Sequence, residues 1–272
     1  MDLKFIHELI TPAQTRIVLL IMDGLGGLPR QPGGKTELET AHTPNLDRLA
    51  ESASLGLTQP VGPGITTGSG PGHLAIFGYD PIHYQIGRGA LEALGVDFDL
   101  MPEDVAARGN FCSLDANGII TDRRAGRLPS VESQTLIELL RFIQLEHVQF
   151  FVEPVKEHRF VFVMRGEGLA DALSDTDPLK TGVPDLPVRA LNRKSDKAAR
   201  YANYFVAQAR QLLADQGPAN SILLRGFARL PSVPQYADLF GLKAAAIAIN
   251  GMYRGVARMA GMTVLNVAGE TI

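Results

Sequence analysis

The sequence predicts an α/β protein in which a doubly wound, mostly parallel but incomplete sheet carries an inserted α+β domain. Strand-like apolar runs alternate with helix-like segments at both ends of the chain, as in doubly wound folds. The middle instead carries turn signals typical of antiparallel hairpins. The length of 272 residues allows one or two domains. We therefore expect residues 1–89 and 216–272 to form the sheet-bearing domain and residues 90–215 to form the insert.

The first predicted strand covers residues 16–22, a branched apolar run followed at once by Asp23. Such a run is typical of a strand buried in a parallel sheet. Ligands of doubly wound sheets bind beyond the carboxyl ends of the strands, so Asp23 is a candidate ligand for a hard cation. An aspartate before glycine is also common in turns, and both interpretations stay open.

The remaining elements of the sheet-bearing domain follow the same alternation. A helix is predicted over residues 43–54, because Thr43 is followed by Pro44 at the first helical position. Further strands are predicted at residues 55–59, 221–224, 243–249 and 262–267, with a helix at 252–260. Because the alternation returns at the end of the chain, we expect both ends to share one sheet.

Residues 66–81 place Ser69 between two glycines where a loop should become a helix. Free amides and the helix dipole favour a phosphate or an alkoxide at such a point. Ser69 is therefore either a phosphoryl acceptor or an ordinary helix N-cap, and Thr66 and Thr67 are rival acceptors. Glycines on both sides would let the backbone approach a bound phosphate closely.

The insert is predicted to be antiparallel and to concentrate cationic side chains. Its predicted strands cover residues 105–114, 119–121, 148–155 and 160–164, followed by a long loop at 174–193 and an amphipathic helix at 195–215. Arginines and a histidine lie at loop ends: Arg123, Arg124 and Arg127 after Asp122, then His158 and Arg159, with Arg108 in the first strand. Such a cluster suits phosphate and carboxylate, although a solvated surface is the alternative.

Five segments together resemble the archaeal-type cofactor-independent phosphoglycerate mutases: MDGLGG, HTPNLDRLA, GSGPGHLAIFGYDP, GRGALEALG and DRRAGR. The resemblance runs from about residue 16 to the final AGMTVLNVAGET. This family belongs to the alkaline phosphatase superfamily, so the resemblance implies an alkaline-phosphatase-like sheet. It also implies that the insert is the substrate-binding domain.

The resemblance further implies a mechanism. Ser69 would take the phosphoryl group of 3- or 2-phosphoglycerate and return it to the neighbouring hydroxyl, without 2,3-bisphosphoglycerate. Two divalent ions, Mn, Mg or Zn, would assist, with Asp23 and Ser69 as ligands of one of them. Asp122 is implied as an acid–base group. The implied substrate-binding residues are Arg123, Arg124, Arg127, His158 and Arg159.

The sequence departs from the family pattern after Ile272, because members of the family continue through Asp and His residues that complete both metal sites. All six histidines of this chain precede its final segment. We therefore expect a truncated or split protein that binds metal weakly. The alternative functions are a metal-dependent phosphatase and a catalytically inactive protein that binds a phosphorylated acid.

The composition argues against nucleic-acid and membrane partners. The net charge of −3 disfavours nucleic-acid binding, and the apolar runs are too short to cross a bilayer. A single cysteine, Cys112, cannot form an internal disulfide and fits a core position in a reducing compartment. His73 is interpreted as a packed or capping histidine rather than a metal ligand. We expect a cytoplasmic protein that binds phosphoglycerate, as a possible homo-oligomer.

Overall fold

The computed structural model describes residues 3–65 and 67–267. They fall into two compact units: a smaller one, Leu9–Gln59, and a larger one made of Met1–Glu8 with Pro60–Ile272. The α-helices, in chain order, are α1 Leu3–Glu8, α2 Glu37–Thr40, α3 Pro44–Ser52, α4 Ser69–Ile76, α5 Arg88–Gly95, α6 Ser130–Leu140, α7 Asp196–Leu212, α8 Tyr236–Phe240 and α9 Gly251–Met259. The strands are β1 Val105–Leu114, β2 Ile120–Asp122, β3 Gln149–Lys156, β4 Arg159–Arg165, β5 Ser221–Ala228, β6 Ala245–Ile247 and β7 Thr263–Leu265.

The smaller unit contains the helices α2 and α3. Helix α3 begins at Pro44 after Thr43, which confirms the helix predicted there. The strands predicted at residues 16–22 and 55–59 are wrong, because neither segment pairs with a strand in the described part of the chain. Their apolar side chains are exposed, Val18 by 88% and Leu57 completely. A strand needs a neighbour for its backbone hydrogen bonds, and apolar composition alone does not supply one.

The larger unit is built on a five-stranded antiparallel sheet. Its strand order is β2-β1-β4-β3, and β5 also pairs with β1. The antiparallel pairings of β1 with β2 and of β3 with β4 confirm the two hairpins predicted from the turn residues. Strand β5 was expected in the parallel sheet, and that assignment is wrong because its backbone pairs antiparallel with β1. The division into domains at residues 90 and 215 stays a prediction.

Helices cover both faces of this sheet. Along β4, the side chains of Phe160, Phe162 and Met164 join the core formed with α6 and α7, while Val161 and Val163 join the core formed with α5. This alternation follows from the two-residue period of a strand. The sheet is therefore the middle layer of the larger unit. Because helices cover its faces, a binding site is expected at its loops.

The last part of the described chain forms a parallel βαβ unit. Strands β6 and β7 pair in parallel and are joined by helix α9, which confirms the elements predicted between residues 243 and 267. Together the described elements make a mixed α/β structure. None of the helices in residues 3–65 and 67–267 is both long and apolar enough to span a membrane.

Candidate active site

A pocket of about 250 Å³ opens where β1, the turn after β2, the β3–β4 turn and β5 meet. It is lined by Arg108, Asn110, Arg123, Arg124, Arg127, Glu157, His158, Arg159 and Arg225. The structure thus brings together all five residues for which substrate binding is predicted. Their role in binding stays a prediction, but their convergence argues against a scattered solvated surface.

The pairing of β1 with β5 and with β4 brings charged side chains together at the pocket. In the β1–β5 pair Arg108 lies opposite Arg225, and in the β1–β4 pair Asn110 lies opposite Arg159. Like charges directly opposite each other destabilise a sheet, and Glu92 offsets part of this cost because its carboxylate lies 3.7 Å from Arg108. Sequence reasoning missed Arg225, because its predicted strand ended one residue earlier and the β1–β5 register is a long-range property.

Asp122 shapes the turn that carries three of the arginines. Its Oδ1 accepts a hydrogen bond from the amide of Arg124 at 2.8 Å, and its Oδ2 accepts one from the amide of Gly126 at 2.7 Å. Ala125, Gly126 and Arg127 all have positive φ, a conformation that this carboxylate helps to hold. Asp122 is not among the described residues that line the pocket, so its acid–base role stays a prediction.

Buried polar atoms without hydrogen-bond partners concentrate at this pocket. Seven such side-chain atoms occur among the described residues, and five belong to residues that line the pocket. The five are Arg108 Nε, Asn110 Oδ1, His158 Nδ1, Arg159 Nε and Arg225 Nε. Folded proteins normally satisfy buried polar groups, so this concentration of unsatisfied atoms marks the pocket as a candidate functional site.

The electrostatics of the pocket favour an anion. Six arginines line it, and Glu157 is the one carboxylate among its described lining residues. Burial lowers the pKa of Arg108 and of Arg225, and neighbouring arginines add to the effect. Burial and the charge of Arg159 lower the pKa of His158 to about 4, so its imidazole is neutral near pH 7. The positive charge is therefore carried by guanidinium groups, which can bind oxyanions through paired hydrogen bonds.

Ser69 is the first residue of helix α4 and its side chain is exposed. The N-cap is Gly68, and no described side chain caps this helix start, so the interpretation of Ser69 as the N-cap is wrong. His73 Nδ1 lies 2.8 Å from the backbone oxygen of Ser69, and its ring stacks on Tyr253 at 4.3 Å. His73 is thus a packed histidine, as predicted. Thr66 lies outside the described residues.

Asp23 lies in the smaller unit and Ser69 in the larger one, so their joint binding of a metal ion stays a prediction. Both supply oxygen atoms, which fit a hard divalent cation. Within residues 3–65 and 67–267, no three His, Cys, Asp or Glu side chains are grouped so that they could hold a metal ion.

Comparison with known proteins identifies the family. The sequence model described as 2,3-bisphosphoglycerate-independent phosphoglycerate mutase matches residues 50–220. A probable mutase of this kind from Thermus thermophilus is 50% identical over 273 residues, which cover 99% of this chain and 67% of that protein. The chain belongs to the 2,3-bisphosphoglycerate-independent phosphoglycerate mutase family. A probable mutase from Thermosipho africanus is 49% identical with the same coverage.

Two solved structures are similar to this chain. A cofactor-independent phosphoglycerate mutase from Thermoplasma acidophilum is 31% identical, with a TM-score of 0.58 over 73% of this chain and 56% of that one. A protein from Pyrococcus horikoshii is 30% identical, with a TM-score of 0.70 over 89% of this chain and 59% of that one. The chain thus spans less than two thirds of these solved structures. The family resemblance drawn from the sequence motifs is confirmed.

Proposed function

We propose that this protein interconverts 3-phosphoglycerate and 2-phosphoglycerate in the cytoplasm, with Ser69 as the transient phosphoryl acceptor. The observation that carries the proposal is the pocket lined by six arginines, where five buried polar side-chain atoms have no hydrogen-bond partner among the described residues. Family membership supports the reaction and its independence of 2,3-bisphosphoglycerate. The one cysteine seen in the described chain is buried and free, which fits a reducing compartment.

In this proposal the pocket holds the carboxylate and the hydroxyls of the glycerate while the phosphoryl group is bound to Ser69. Arg123, Arg124, Arg127 and Arg159 supply guanidinium groups for the carboxylate and phosphate oxygens. Neutral His158 supplies a hydrogen bond without adding charge. A substrate held at several points stays bound during the transfer, so the phosphoryl group returns to it rather than to water.

The Ser69 oxygen attacks the phosphorus, and the bond from phosphorus to the substrate oxygen breaks. The second step reverses the first on the neighbouring hydroxyl, so the net reaction is isomerisation. Two bound divalent ions, Mn, Mg or Zn, would activate the hydroxyl and neutralise phosphoryl charge, with Asp23 and Ser69 among their ligands. For an acid–base role, Asp122 would accept a hydrogen bond from a substrate hydroxyl with a carboxylate lone pair that its two amide hydrogen bonds leave unused.

Phosphorus NMR of the full chain with 3-phosphoglycerate and Mn²⁺, Mg²⁺ or Zn²⁺ tests the proposal. We expect 2-phosphoglycerate to appear without added 2,3-bisphosphoglycerate, Ser69→Ala to abolish it, and the control Thr67→Ala to retain it. Turnover in Ser69→Ala would remove Ser69 from the mechanism. Free phosphate as the main product would indicate a phosphatase, and metal-independent binding without product would indicate a binding protein.

A further inference from the structure

A buried carboxylate lies directly behind the pocket. The side chain of Asp177 is fully buried, and it contacts two of the arginines that line the pocket. Its Oδ1 accepts a hydrogen bond from Arg123 Nε at 2.7 Å, and its Oδ2 accepts one from Arg123 Nη2 at 2.6 Å. Arg225 Nη1 lies 3.4 Å from the same Oδ2. One carboxylate therefore links the turn after β2 to strand β5.

Asp177 belongs to the long loop predicted at residues 174–193, and it is held in place by its neighbours. Its Oδ1 also accepts the amide of Leu179 at 2.9 Å. Next to it, the Thr176 amide donates to the Leu224 oxygen at 2.8 Å, and Thr176 Oγ1 accepts the Leu224 amide at 2.8 Å. These bonds attach the loop to the middle of β5, so the carboxylate has a fixed position.

The charge state of Asp177 follows from the same contacts. Burial alone would raise the pKa of Asp177, but hydrogen bonds from Arg123 and Leu179 and the positive charges of Arg123 and Arg225 outweigh it and lower the pKa. The group is therefore ionised in the folded protein. An ionised carboxylate that accepts both arms of a guanidinium group fixes the orientation of that group.

We propose that Asp177 is a positioning residue that holds the guanidinium groups of Arg123 and Arg225 in the orientation that binds phosphoglycerate. The proposal rests on the proposed function of the pocket, and it adds a residue that lies outside the lining. In contrast, Arg124 lines the same pocket with no carboxylate at ion-pair distance among the described residues. The proposal therefore expects Arg123 to be ordered before the ligand binds and Arg124 to become ordered when it binds.

The substitution Asp177→Asn separates positioning from charge, because the two effects have opposite signs. Removing a negative charge behind the pocket raises its positive potential, and this alone would tighten the binding of an anion. Releasing two guanidinium groups means that binding must order them again, which weakens it. We expect ordering to dominate and the Kd for 3-phosphoglycerate to rise about tenfold, as measured by calorimetry.

Asp104 provides a matched control. Its side chain is also fully buried, and it pairs with Arg165, whose side-chain exposure of 23% equals that of Arg123. The two hydrogen bonds from Arg165 measure 2.8 and 2.6 Å, and neither residue lines the pocket. Asp104→Asn should lower the melting temperature as much as Asp177→Asn but leave the Kd unchanged. Equal weakening in both variants, or unchanged or tighter binding in Asp177→Asn, would overturn the proposal.

Two further measurements make the outcome decisive. The first is the Nε–Hε NMR signal of two arginines in the unsubstituted protein without ligand. The signal of Arg123 should show an ordered group, and that of Arg124 should show a mobile one. Equal mobility of the two groups would refute the positioning role, and this measurement does not depend on whether Asp177→Asn folds. Inorganic phosphate serves as a second probe. Phosphate binding that Asp177→Asn weakens, without any binding of phosphoglycerate, would support the role of Asp177 and reject the proposed function.

Discussion

At the scale of single residues, the pKa of His158 reflects the positive charge of the pocket. It is 4% exposed and surrounded by arginines, so burial and positive charge lower its pKa to about 4. A neutral imidazole is compatible with six nearby guanidinium groups, whereas a charged one would add repulsion. The negative charges of a bound phosphoglycerate would offset part of this shift.

The lowered pKa of His158 predicts how stability depends on pH. In the unfolded chain the imidazole binds a proton below its usual pKa of about 6.5, whereas the folded protein resists protonation down to about 4. The unfolded state therefore binds more protons in this window. The stabilisation is fully present above pH 6.5 and is lost as the pH falls to 4, by about 3 kcal/mol in total.

Urea unfolding at pH 7 and at pH 4.5 measures this effect. We expect the free energy of unfolding of His158→Asn to fall less between the two pH values than that of the unsubstituted protein. His147→Asn is the control, because it removes a histidine whose side chain is 82% exposed. An unchanged pH dependence in His158→Asn would show that this imidazole does not titrate as described.

Sequence reasoning found the site residues that local motifs reveal. Arg123, Arg124 and Arg127 lie within six residues of one another, and His158 and Arg159 are adjacent. Asp177 and Arg225 were missed as members of the site, because only long-range contacts bring them to Arg123. A buried carboxylate in a loop rich in Asp, Pro and Lys carries no local signal that separates it from its exposed neighbours.

At the scale of secondary-structure elements, the turn from Asp122 to Arg127 joins strand β2 to the arginines of the pocket. Two backbone amides depend on the Asp122 carboxylate, and the turn places Arg124 and Arg127 at the pocket. A turn-forming role and an acid–base role make different predictions. Loss of the turn raises the Kd for the ligand, whereas loss of an acid–base group lowers kcat.

We predict that Asp122→Ala raises the Kd for 3-phosphoglycerate about tenfold, because the three arginines of this turn lose their fixed backbone. The control is Asp115→Ala. The Oδ1 of Asp115 accepts the amides of Asn117 and Ile119, both at 2.9 Å, in the β1–β2 turn, which lies outside the pocket lining. Calorimetry should therefore find the Kd of Asp115→Ala unchanged. An unchanged Kd in Asp122→Ala together with a lower kcat would favour the acid–base role.

The predicted elements differ in how far local sequence determines them. The hairpin of β1 and β2 was found because an Asp-Ala-Asn-Gly turn defines it within a few residues. Residues 16–22 have strand composition but no pairing strand in the described chain, and strand β5 was assigned to the wrong sheet. Strand pairing depends on distant partners, so composition predicts that a segment suits a strand but not which strand pairs with it.

At the scale of the whole molecule, helix α5 connects the two parts of the larger unit. Its Ala90 and Ala93 pack on the antiparallel sheet, and its Leu91 packs with α9. Two glycines allow helix α5 to pack this closely against the sheet and against α9. A Cβ atom on Gly89 would overlap the carbonyl oxygen of Ala106 in β1, and one on Gly255 of α9 would overlap the carbonyl oxygen of Leu91. The sheet that bears the pocket and the βαβ unit are thus joined through backbone contacts.

This arrangement predicts that Gly89→Ala destabilises the protein. Alanine favours a helix over glycine by up to about 1 kcal/mol, but the overlap with a strand backbone should cost about 1–3 kcal/mol because β1 is fixed by three partner strands. Gly251→Ala at the start of α9 is the control, since its Cβ atom would meet no neighbour within 4 Å. Urea unfolding should find Gly89→Ala less stable than the unsubstituted protein and Gly251→Ala at least as stable. If Gly89→Ala were as stable as Gly251→Ala, helix α5 would not pack this closely against the sheet, and the larger unit would have to be joined by other contacts.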